Sequence, residues 1–160
     1  MLTSQQYATL KAHILASPEL AALPNNSDGA FGIAALMNLP AAPDWTVWRT
    51  NVTVRETGKA FNGAEWAGMT SANHTRLVDV AAWVGMGYDA SRSDIQAMFN
   101  DIWSGAGGAT TRANLLVLWK RLATRAEKLF STGTGSNAVP ATMSFEGQLS
   151  PDDVQVARNS

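Results

Sequence analysis

The 160-residue sequence contains no cysteine. That removes disulfides, thiolate nucleophiles and zinc–thiolate sites together. Only two histidines are present, His13 and His74, and neither has a second histidine or a carboxylate at metal-ligand spacing. No metal site is expected. Charge is scarce, at 16 % of residues against about 25 % in ordinary soluble domains. The net charge is −1, so no basic excess exists to neutralise a phosphate backbone, and specific nucleic-acid binding is not expected. No apolar run approaches the roughly 18 residues a membrane span needs. Met1–Ala16 is polar and amphipathic, without the basic-then-apolar order of a secretory leader, and no signal peptide is expected.

Catalytic patterns are missing as well. There is no G-x-S-x-G turn to expose a nucleophilic serine. Gly105-Ala106-Gly107-Gly108 precedes a helical pattern, a place where backbone amides can meet an anion. Yet no strand precedes it and no Lys-Ser/Thr follows, so it reads as a helix–helix connector. Thr132-Gly133-Thr134-Gly135-Ser136 fails the same test and reads as a flexible hinge. Glu56 and Glu65 fall within the tryptophan-bearing stretch, but a glycosidase needs a pair placed across a sugar cleft. No catalytic residue, no cofactor-binding residue and no metal ligand is assigned, and the chain is not expected to be an enzyme.

What is present is apolar mass. Hydrophobic residues make up 46 % of the chain, with six tryptophans. The periodicity predicts a mostly α protein: a single-domain bundle of about five to seven helices with an extended C-terminal arm. Thr3 with Gln6, and Thr53 with Glu56, form capping-box patterns. Ser17-Pro18 starts a short helix, Ser27 or Asp28 caps a third, Thr70 caps a run to about Met86, and Ser91 with Asp94 caps the next. Ile95, Met98, Phe99, Ile102 and Trp103 make the clearest amphipathic stripe. Thr110 or Thr111 then caps a helix through Leu115, Trp119 and Leu122 to Phe130. Residues 44–52 fit a strand by alternation and a helical turn by the spacing of Trp45 and Trp48. The expected division is a helical domain, 1–130, and an arm, 131–160, made of a loop, a weak strand over Thr142–Leu149 and a short helix after Ser150. Removal of the arm is expected to leave the helical domain folded.

The candidate interface residues are Trp45, Trp48, Arg49, Arg125, Phe130, Met143 and Phe145. Eight of the twelve basic residues are arginine, and Trp and Arg are the residues that dominate interface energetics. In Trp45-Thr46-Val47-Trp48-Arg49 they sit together, either as a contact surface or as aromatics that close the core.

Four runs carry a resemblance. They are Pro24-Asn25-Asn26-Ser27-Asp28-Gly29-Ala30-Phe31, Trp45-Thr46-Val47-Trp48-Arg49-Thr50, Ala123 through Gly135, and Pro140-Ala141-Thr142-Met143-Ser144-Phe145-Glu146-Gly147. The chain resembles a family of uncharacterised proteins of tailed bacteriophages and prophages, encoded among head and tail structural genes. The resemblance implies a virion component made in the bacterial cytoplasm. It points first to a head–tail adaptor (neck) subunit in a ring of identical copies, touching portal, tail or capsid proteins, with packaged DNA nearby. The alternatives are a capsid cement protein and, from another class, a virion-associated cell-wall hydrolase. The family supplies no catalytic residues.

Overall fold

A computed structural model describes residues 1–160. In chain order its elements are α1 (Ser4–Ala16), α2 (Pro18–Ala21), α3 (Ser27–Met37), β1 (Thr46–Trp48), β2 (Val52–Thr53), α4 (Val54–Ala60), α5 (Gly63–Ala67), α6 (Ser71–Val84), β3 (Gly87–Tyr88) and α7 (Ser93–Ile102). A 3-10 turn (Ala106–Gly108), α8 (Ala109–Leu118), β4 (Lys120–Leu122), α9 (Arg125–Leu129), β5 (Ser131–Thr132), β6 (Thr142–Met143) and α10 (Pro151–Asn159) follow. The protein is mostly α. Its strands make three two-stranded sheets, β1 with β4, β2 with β3 and β5 with β6. The chain divides into two compact units, residues 1–47 with 122–160 (unit 1) and residues 48–121 (unit 2).

Unit 1 is built on α1, α3 and α10, with α9 against α3. The Thr3–Gln6 capping box starts α1, and Leu10 and Ile14, one turn apart, enter the core. α3 starts at Ser27 because the Asn26 side chain accepts the Gly29 amide. A Cβ on Gly29 would stand 1.8 Å from the Pro24 carbonyl oxygen, so only glycine fits there. Ser150 and Asp153 form a capping box for α10, with Pro151 at its first position. Val154 and Ala157 of α10, together with Leu149, are buried among Leu10, Ile14, Ile33 and Met37. Asn38 fastens this segment from α3's end: its amide donates to the Leu149 carbonyl (2.9 Å) and its carbonyl accepts the Leu149 amide (2.8 Å). Arg158 donates to the carbonyls of Pro24 and Leu23.

Unit 2 has its own core. Ile95, Phe99 and Ile102 of α7 pack with Leu115, Trp119, Leu77, Val80 and Tyr88. Each such aliphatic or aromatic group taken from water contributes about 1.5–3 kcal/mol before conformational entropy is charged against it. Trp103 tilts against Phe61 (5.0 Å between ring centres), and Phe61 stacks on Trp66 (5.7 Å).

Several expectations give way. There are ten short α-helices rather than about five to seven, and small sheets take residues a plain bundle would keep helical. Residues 131–160 are no arm: they supply part of unit 1's core, and the chain does not divide at residue 130. The run Thr132–Ser136, expected as a flexible hinge, is bonded to its surroundings at Thr132 and Gly135. Ser131 and Thr132 pair antiparallel with Met143 and Thr142, so the expected strand over Thr142–Leu149 is cut to two residues. Gly135, at φ +62°, presses on Trp45 and accepts the Thr46 amide at 2.7 Å. Residues 44–52 hold strand, not helix. The helix expected to run on to Phe130 stops at Leu118, since Lys120–Leu122 is drawn into β4. α7 has Arg92, not Ser91, at its N-cap position and no side-chain cap; Ser91 lies in the preceding turn, its amide on the Asp89 carboxylate (2.8 Å).

Candidate functional site

The residues singled out from the sequence are spread over both units. In unit 1, the Trp45 indole donates to the Ser131 hydroxyl (2.9 Å), and the Lys128 ammonium lies 4.9 Å from its ring centre. Phe130 is buried and meets Phe145 edge to face at 5.5 Å. Met143 packs, half-buried, against Val47, Ala123 and Ala141. Arg125 reaches Glu19 at 3.3 Å. In unit 2, Trp48 packs on the core with the Lys120 ammonium 5.8 Å from its ring centre. Arg49 pairs with Glu56 at 2.7 Å and donates to the Leu118 carbonyl. Phe130 therefore closes a core, while Trp45, Trp48, Arg49, Arg125, Met143 and Phe145 are half-buried side chains already engaged within their own units.

Glu56 and Glu65 are both engaged in holding helix starts. Glu56 closes the Thr53 capping box at α4; the Thr53 backbone hydrogen bond, then the bonds from Arg49 and the Thr53 hydroxyl, hold its carboxyl down at about 2. Glu65, on α5, reaches the start of α8: its two oxygens accept the amides of Thr110 and Thr111, each at 2.8 Å. Desolvation alone would raise its pKa, but the bonds from Thr111 and Thr110 outweigh it and bring the value to about 2. The anion that the Gly105–Gly108 turn invites is thus supplied by the chain itself. Thr110 and Thr111, expected as caps, are the capped residues. His74 lies edge-on to Trp66 at 4.8 Å, and His13 lines a cavity in unit 1. No three His, Asp or Glu side chains gather as a metal-ligand group.

The feature that sequence reasoning missed is an apolar pocket in unit 2, about 220 Å³ in volume. α4 supplies Val54, Thr57 and Gly58; α6 supplies Leu77, Val78, Ala81 and Val84; Phe61, Trp66, Tyr88 and Phe99 complete it. Its two hydroxyls are already engaged. The Thr57 and Tyr88 hydroxyls bond each other at 2.8 Å, and the Trp119 indole donates to Tyr88 at 2.8 Å. Burial pushes the Tyr88 phenol up, so it stays neutral near pH 7. Such a pocket offers no nucleophile and no proton-transfer group; it takes an apolar group from water. α6 also carries large apolar side chains in solvent. Val78 is 67 % exposed, Trp83 58 %, and Met86, just beyond the helix, 94 %. The signal was present in the sequence. Val78 and Trp83 lie off the Leu77–Val80–Val84 stripe, so α6 has more apolar surface than one buried face can hold.

Comparison of the chain with protein-family models, with curated proteins and with solved structures returns no match.

Proposed function

We propose that this chain is a structural, non-catalytic subunit of a tailed-bacteriophage virion, a head–tail adaptor that works as a ring of identical copies. The supporting observation is the apolar surface of unit 2, the pocket between α4 and α6 with exposed Val78 in its lining, and exposed Met86 just past the end of α6. Exposed apolar groups gathered on one element mark protein contact. A ring is closed by heterologous contacts, so each copy needs two different faces, and this surface serves as one of them. The sparse charge and the resemblance of the four sequence runs support the same reading. The reading does not use residues 131–160 as an assembly arm, since Leu149, Val154 and Ala157 are buried in unit 1's core.

Native mass spectrometry of the purified chain tests it. The wild type is expected to give one discrete closed oligomer at raised concentration. Val78→Asp with Met86→Asp, both at exposed positions, is expected to give folded monomer. A wild type that stays monomeric, or a variant that assembles as well as the wild type, contradicts the role given to this surface.

A further inference from the structure

Unit 1 holds a cavity of a different character, about 530 Å³ in volume. Its apolar part is Leu20, Met37 and Leu129, the first two buried. Its polar part is His13, Ser17, Glu19, Arg125 and Lys128. The local sequence explains the arrangement. Thr124 and Glu127 form a capping box that starts α9 at Arg125, and a spacing of three puts Arg125 and Lys128 on one face of that helix. His13 lies in the last turn of α1. Ser17 both ends α1 and begins α2, yet its hydroxyl caps neither.

The polar groups keep hydrogen-bonding capacity in hand. Arg125 uses one guanidinium nitrogen, on Glu19 at 3.3 Å, and that carboxylate is itself 60 % exposed. Lys128 has no carboxylate partner; its ammonium rests over the Trp45 ring, which Ser131 holds in place. The His13 imidazole and the Ser17 hydroxyl make no side-chain hydrogen bond. Two fixed cations less one carboxylate leave a single net positive charge around an apolar floor. Pockets of this size that join an apolar lining to a few convergent polar groups are the usual form of small-ligand sites. An arginine fork with a nearby lysine favours a planar anion.

We infer that this cavity binds a monocarboxylate with an apolar body, the carboxylate on Arg125 and Lys128 and the chain over Leu20, Met37 and Leu129. A free short-chain acid and the C-terminal end of an apolar peptide share that chemistry. His13 and Ser17 complete the rim as neutral donors; burial lowers the His13 pKa, and the charged groups lining the same cavity are Glu19, Arg125 and Lys128. A bound carboxylate favours the imidazolium and raises that pKa.

The test is an NMR titration of the full chain with hexanoate and with N-acetyl-glycyl-leucine, against hexanol and inorganic phosphate. Saturable shifts at His13 and Leu129 are expected with the two carboxylates, with a rise in the His13 pKa, and the tighter of the two names the source. Arg125→Gln with Lys128→Gln is expected to weaken binding by about tenfold or more while the amide spectrum stays folded. No saturable shift with either carboxylate overturns the assignment. So does equal binding of hexanol or phosphate, or a folded double variant that binds unchanged.

Discussion

Two carboxylates carry the electrostatic part of the account at the scale of single residues. Glu56 and Glu65 each sit where a helix begins, one closing a local capping box and the other reaching from α5 to α8. Both have folded pKa values of about 2 against an ordinary 4.5. A depressed folded pKa gives stability that is fully present above the ordinary value and is lost as pH falls through the folded one. Unit 2 is therefore expected to lose stability between about pH 4.5 and pH 2. Thermal unfolding followed across that window checks it: Glu56→Gln with Glu65→Gln is expected to lower the melting temperature at pH 7 and to flatten the acid slope. A slope that the double variant leaves unchanged contradicts it. Gly135 supplies the second residue-scale test. At φ +62°, a Cβ there would stand 2.1 Å from Trp45 Cδ2, so both backbone strain and a clash oppose any side chain. Gly135→Ala is expected to destabilise unit 1 by about 2 kcal/mol, read as a lower urea midpoint.

Among the elements, capping chemistry was the most legible part of the sequence. The Thr3 and Thr53 boxes, the Thr70 cap and the Ser150 start are all formed, because the donors and acceptors that make them lie within three residues of each other. The Thr124–Glu127 box is equally local, but the leucine spacing from Leu115 to Leu122 predicts an uninterrupted helix across it. That spacing carried no information on the pairing of β1 with β4, and a pairing partner some seventy residues away is not a local signal. The same limit explains the C-terminal segment. Its Gly, Ser and Thr content reads as loose, whereas Leu149, Val154 and Ala157 are placed by contacts with α1 and α3 at the other end of the chain. The two candidate sites share this history: the α6 surplus of apolar residues was in plain view, but the pocket beside α4 and the cavity joining α1, α2, α3 and α9 exist only after folding. Leu149→Ala is expected to cost about 2–5 kcal/mol. Deletion of residues 131–160 is expected to unfold unit 1, with loss of its amide protection in hydrogen exchange; survival of α1 and α3 would contradict the packing described.

The whole molecule is a nested chain. Unit 2 is one continuous segment, while unit 1 is closed from two, and both crossings fall inside short strands with no linker to announce them. A continuous segment with its own core is able to fold by itself. Residues 48–121 expressed alone are expected to give a dispersed amide spectrum; residues 1–47 alone are not. On the proposed function, that segment also carries the assembly surface. The most direct measurement is the location and copy number of this protein in a reconstruction of the virion that contains it. A ring of about a dozen copies between portal and tail, with α6 at the contact between neighbours, is the expected result. Hundreds of copies spread over the capsid, or none in the particle, would contradict the adaptor account.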